Sequence, residues 1–140
     1  MKRLVCAFVC VALLMPLLVR AQPTQEDERE AAKAASAWLE LLDAGRVGES
    51  WEQMSPFVKN SVSKADWEQV LPNVREILGK VHNRRPMASE RIGSLPGMPD
   101  GDYVVLRFLS HCEKKAEAVE TMIMCKDNDG SWRAATYVFR

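Results

Sequence analysis

The spacing of apolar residues changes at Gly79, and that switch constrains the fold more than any other feature of the 140-residue chain. Before it, Ala31, Ala34, Ala35, Trp38, Leu41 and Leu42 recur at helical intervals, as do Trp67, Val70, Leu71, Val74, Ile77 and Leu78. After it, alternation with period two predicts strands over about 80–92, 102–112, 117–126 and 131–139. The tetrapeptide Glu113 to Ala116 joins the second and third. Asp-Asn-Asp-Gly, residues 127 to 130, joins the third and fourth, and Gly130 there accepts a positive φ without penalty. Helices followed by an antiparallel meander predict one α+β domain, with N-terminal helices packed on one face of a four-stranded sheet.

Within the helical half, Thr24 with Asp27 resembles a capping box, and Gly45 is a natural stop, so a helix is expected over about 25–44. A shorter one is expected over 47–54. Pro56 restarts the chain, with Phe57 and Val58 filling a gap beneath it. Ser63 and Asp66 form a second capping pattern. Pro72, inside the next apolar run, removes a backbone donor and predicts a kink or break. Ahead of the second strand, Pro96, Gly97, Pro99 and Gly101 make a stiff corner that orders the strand connection at low entropic cost. A binding rim is the lesser reading of that loop.

The first 21 residues read as a secretion signal. Lys2 and Arg3 precede an apolar run from Leu4 to Val19, and Val19-Arg20-Ala21 presents small residues at the cleavage positions. Sixteen apolar residues containing Pro16 fall short of the roughly 20 that span a bilayer. The expected product is residues 22–140, periplasmic or secreted, with no stable membrane anchor. It keeps 16 basic and 19 acidic residues, a net charge of about −3, and offers no basic stripe for nucleic acid. Cys112 and Cys125 remain. Placed on neighbouring strands at opposite ends of a hairpin, they lie too far apart to bridge, so two buried thiols are expected.

Strand parity then divides the sheet. Val104, Leu106, Phe108 and Cys112, with Val119, Thr121, Ile123 and Cys125, and with Trp132, Ala134, Thr136 and Val138, should face the helices. The opposite face should collect Tyr103, Arg107, His111, Glu120, Met122, Met124, Arg133, Tyr137 and Phe139. Of these, Tyr103, Arg107, Glu120, Met122, Arg133 and Tyr137 are the candidate binding residues. Such a mixed face fits a partner surface, a dimer seam, a ligand concavity or a solvated face with paired charges.

Recognisable reaction chemistry is sparse. His82 and His111 have no His or Cys at ligand spacing, which argues against a metal site. Nucleophile-elbow, phosphate-loop and dinucleotide glycine patterns are missing, so no catalytic residue and no cofactor is assigned. Asp127 to Gly130 lacks the downstream Glu of a calcium loop. Glu120 is the one carboxylate whose burial would raise its pKa toward a general base, and Arg107 or Arg133 would pair with it and reverse that. The four tryptophans sit on apolar faces and read as core.

The strings "AWLELLDAG", "LPGMPDGDYVVLRF", "AVET" and "DGSWRAATYVF", together with Ser50-Trp51, resemble in order and spacing the bacterial exported family called domain of unknown function 4019, over about residues 31 to 139. That family commonly has an aromatic residue at Cys112 and a glycine at Thr136. The resemblance implies no activity, cofactor or catalytic residue. Its element order looks like the cone of the nuclear transport factor 2-like and cystatin-like folds, in which helices wrap a curved sheet. Two functions remain open: a protein-interaction or dimerisation module using the exposed sheet face, or a small-ligand binder or weak enzyme with a pocket near Glu120.

Overall fold

The computed structural model describes residues 25–140; the expected signal, and Thr24 of the first capping pattern, lie outside them. Four helices come first: α1 (Gln25–Asp43), α2 (Val47–Glu52), α3 (Pro56–Ser61) and α4 (Lys64–Glu76). Four strands follow: β1 (Val81–Ile92), β2 (Tyr103–Cys112), β3 (Ala118–Lys126) and β4 (Trp132–Phe139). They form one antiparallel sheet in the order β1-β2-β3-β4. This is the expected α+β arrangement, with strand bounds within a residue of those read from alternation.

The core lies between α1 and one sheet face. Ala31, Ala35, Trp38, Leu39 and Leu42 of α1 pack with Val104, Leu106 and Phe108 of β2, Met122 and Met124 of β3, and Trp132 and Ala134 of β4. Small residues in the first half of α1 let the helix approach closely, and Trp38 anchors its second half. Buried Ser50 ties the helices together. Its carbonyl accepts from Trp38 Nε1 at 2.8 Å and its hydroxyl accepts from Trp67 Nε1 at 3.0 Å. The indoles therefore combine apolar bulk with a satisfied polar handle.

Two helical expectations change. The segment after Pro56 is itself a helix: Ser55 Oγ accepts from Val58 N at 3.3 Å and Pro56 occupies its first turn, leaving Phe57 exposed instead of filling a gap. The chain stays helical through Pro72, because that residue sits on the exposed side of α4 where water can satisfy the freed carbonyl of Glu68. Only Trp67, Leu71 and Leu78 turn inward from that run; Val70, Val74 and Ile77 face solvent. Ser63 caps α4 as read, accepting from Asp66 N at 3.1 Å.

The parity of β3 is the main correction. Residues 113–117 form a five-residue connection, one longer than read, and Phe108 pairs with Glu120, Leu106 with Met122, and Val104 with Met124. One residue of slip turns every side chain over. Glu120, Met122 and Met124 therefore lie beneath the helices, while Val119, Thr121, Ile123 and Cys125 point outward. In β4 a bulge opposite Ile123/Met124 absorbs Ala135. Trp132 and Ala134 stay inward as expected, and beyond the bulge Tyr137 and Phe139 turn inward while Thr136 and Val138 turn outward.

The corner before β2 is ordered locally: Gly97 has φ 77°, Gly101 N donates to Gly93 O at 3.0 Å, and the Tyr103 hydroxyl donates to Pro99 O. Both cysteines are free thiols at opposite ends of the β2–β3 ladder; Cys112 is buried, whereas Cys125 is half-buried. The two sheet edges differ. Backbone of the α2–α3 link bonds Ala134 on β4, whereas β1 is an open edge guarded by Arg84, Arg85, Pro86 and a bulge at Met87.

Candidate functional site

Beneath the helices, Glu120 is fully buried at the centre of a polar cluster in an otherwise apolar interior. Its Oε1 accepts from Arg84 Nε at 2.8 Å and from the Ser110 hydroxyl. Its Oε2 accepts from the Tyr137 hydroxyl at 2.7 Å, Arg75 Nη1 at 3.3 Å and Arg84 Nη2 at 3.3 Å. Both guanidiniums also reach Asp43 at the end of α1; Arg84 Nη1 does so at 2.8 Å. Two arginines and two carboxylates make a neutral quartet, drawn from α1, α4, β1 and β3, with hydroxyls from β2 and β4. Local structure places four of them: Asp43 ends α1, Arg75 lies in the last turn of α4, and Arg84 and Ser110 are register partners.

The electrostatics follow from this saturation. Burial pushes the Glu120 carboxyl up, but hydrogen bonds from Arg84, Ser110 and Tyr137 prevail and hold it below its ordinary value. Burial and the neighbouring Glu120 charge push the Tyr137 hydroxyl well above its ordinary value. Glu120 is thus an anion with about four lone-pair sites, all engaged. At neutral pH it has no proton to give and no free site to take one. Tyr137 holds its proton toward Glu120 while accepting from Arg75 Nη1 at 2.7 Å. The cluster is built to fix geometry, and its groups are poorly disposed for acid–base chemistry.

The six candidate residues do not share one surface. Glu120, Met122 and Tyr137 lie inside, whereas Tyr103, Arg107 and Arg133 belong to the outer face. Tyr103 is buried under the 94–101 corner, and Arg133 is bound to Asp127 at 2.8 Å and Asp129 at 2.7 Å. Neither Arg107 nor Arg133 reaches Glu120; Arg75 and Arg84 hold it instead. These two, with Asp43 and Ser110, escaped the sequence reading. Inward parity of β3 would have exposed the need, since a carboxylate under helices must find cations there.

Two further features bear on binding. A groove of about 410 Å³ runs between α1 and the β1–β2 pair, floored by Ala32, Pro86, Leu106 and Phe108 and rimmed by Glu28, Arg29 and Ser89. A hollow of about 200 Å³ beside it shares Ser36, Pro86 and Phe108 and reaches Arg84. The outer sheet face has rows Glu90–Val105–Ile123–Thr136, Ala88–Arg107–Thr121–Val138 and Arg85–Leu109–Val119. Among the described residues no helix covers it. Arg107 and Glu90 have no ion-pair partner within the described chain.

No helix among the described residues is long and apolar enough to cross a membrane. No curated protein matches the chain. Among solved structures, it is similar to the crystal structure of a ketosteroid isomerase-like protein from Erwinia carotovora atroseptica SCRI1043, at 16% identity and a TM-score of 0.49, over 83% of this chain and 96% of that one. A family model described as "Protein of unknown function (DUF4019)" matches residues 34–137, and the chain belongs to that family.

Proposed function

We propose that this member of the DUF4019 family is an exported, non-catalytic contact module whose outer sheet face docks a second copy of the chain. The observation that carries the reading is the uncovered face itself. Leu109, Val119 and Ile123 lie there half-buried and Val138 is 52% exposed, around a Val105 that its neighbours bury. Apolar β-branched residues normally face a partner layer. Four strands about 4.8 Å apart, with about nine residues at 3.3 Å each, span roughly 19 by 30 Å. A paired face of that size buries on the order of 1,100 Å², just above the ~1,000 Å² a specific interface needs. The exposed stripe Val70, Val74 and Ile77 on α4 is within what ordinary monomers show. Export is supported by the apolar run from Leu4 to Val19 behind Lys2 and Arg3.

The unpaired charges supply the test. Arg107 and Glu90 lie diagonally on adjacent strands, so a two-fold axis between them sets the arginine of one copy against the glutamate of the other. Sedimentation velocity on the wild type should show dimers. Arg107→Glu should dissociate them, and Glu90→Arg with Arg107→Glu should restore them. A wild-type monomer across the accessible concentration range, unchanged by Arg107→Glu, refutes the reading.

One observation favours a second reading: the groove beside α1 has the volume and apolar floor of a small-molecule site. A thermal-shift screen of amphipathic exported metabolites tests it, and the absence of any stabilising compound rejects it.

A further inference from the structure

The β1–β2 pair brings together two residues that lie far apart in the sequence. His82 and His111 have ring centroids 6.2 Å apart, tilted by 44°, and both side chains are exposed. The cause is a bulge: Val81 pairs with Cys112 and Asn83 with His111, so His82 is the extra residue between them. A bulged residue departs from the strict alternation of the strand. In an unbulged strand His82 would point away from the face carrying Asn83 and His111.

We propose that His82 and His111 chelate one divalent transition-metal ion, of the zinc, nickel or copper(II) class, at this end of the sheet. Imidazole binds such ions at about 2.0–2.1 Å, which puts each ring centroid roughly 3.2 Å from the metal. Two rings on one ion are then about 5.2 Å apart at a tetrahedral angle and at most about 6.4 Å apart. The observed spacing falls inside that limit, and closing it further takes only rotation of two exposed side chains. The chelate rests on paired strands, which hold the two backbones in register without a metal. Imidazole suits zinc, copper and nickel better than the hard cations magnesium and calcium.

No cluster of three or more His, Cys, Asp or Glu side chains placed to hold a metal occurs among the described residues. The chain therefore supplies two donors, and the remaining coordination positions stay open to water or to a small ligand. A closed structural zinc site uses four protein ligands, so this one is an exchangeable, surface-mounted ion. The inference does not rest on self-association, because a monomer carries both histidines.

The test uses the purified metal-free protein. Equilibrium dialysis against Zn²⁺ and Cu²⁺ should find one ion per chain. Cu²⁺ should broaden ¹⁵N amide signals in two clusters, around His82 and around His111. His82→Gln or His111→Gln should each weaken binding by roughly 10- to 100-fold, at least the loss seen when a second-shell partner is removed. Broadening centred elsewhere overturns the proposal, as does affinity unchanged in either variant. The wild-type broadening map decides the matter even if a variant folds poorly.

Discussion

Replacing Glu120 by glutamine tests the reading of the buried cluster most directly. The amide keeps the shape but loses the charge, leaving Asp43 as the one carboxylate shared by two largely buried guanidiniums, 13% and 15% exposed. Breaking a buried ion pair costs about 3–5 kcal/mol. Because Asp43 remains and each arginine keeps some contact with water, the loss should fall near the low end, about 3 kcal/mol. For a domain of this size 1 kcal/mol moves Tm by roughly 4 °C, so Glu120→Gln should melt about 12 °C below wild type at neutral pH. Adding Arg84→Met removes one orphaned cation and leaves Arg75 with Asp43. The double variant should therefore lose less than the two single losses combined, by about 1–2 kcal/mol. Thermal melts followed by circular dichroism supply all four corners of the cycle. A reactive acid commonly behaves oppositely, its removal sparing or raising stability. A Tm for Glu120→Gln within about 3 °C of wild type, or strictly additive losses, would refute the interlock.

Two other perturbations follow. The Glu120 carboxyl sits below its ordinary value when folded, so its stabilising contribution is complete above the unfolded value of about 4.3 and is lost as pH falls through the folded one. Urea midpoints should hold level down to about pH 5 and then drop, more steeply in wild type than in Glu120→Gln; parallel curves would count against this. Gly130→Ala places a Cβ in open space, but at φ 81° the backbone alone should cost about 1–2 kcal/mol, and a Tm unchanged to within a degree would contradict that.

Much of the architecture was legible because it rests on local rules. Ser63 caps α4, Gly130 turns the last hairpin, and alternation delimits the strands almost to the residue. The inward face of β2 was legible too. What failed depended on counting: a connection one residue longer than read reversed β3, and the Ala135 bulge reversed the far half of β4. Neither carries a strong mark, since Val119, Thr121 and Ile123 are as fit for a core as Met122 and Met124. The candidate site suffered accordingly. Glu120 and Tyr137 were singled out, but on the wrong side of the sheet and with the wrong arginines. The proximity of His82 and His111 was hidden because strand pairing, not sequence spacing, creates it.

The partners of Glu120 also set a timetable for the chain during synthesis. Asp43 is made long before Tyr137, yet both belong to the same knot of charges and hydroxyls around Arg84 and Glu120. Until β4 is in place, the interior contains a carboxylate and two guanidiniums short of a hydrogen-bonding partner, so an N-terminal fragment has little reason to settle. Such long-range closure makes for slow, late and cooperative folding, and a chain truncated before Tyr137 should stay open to proteases.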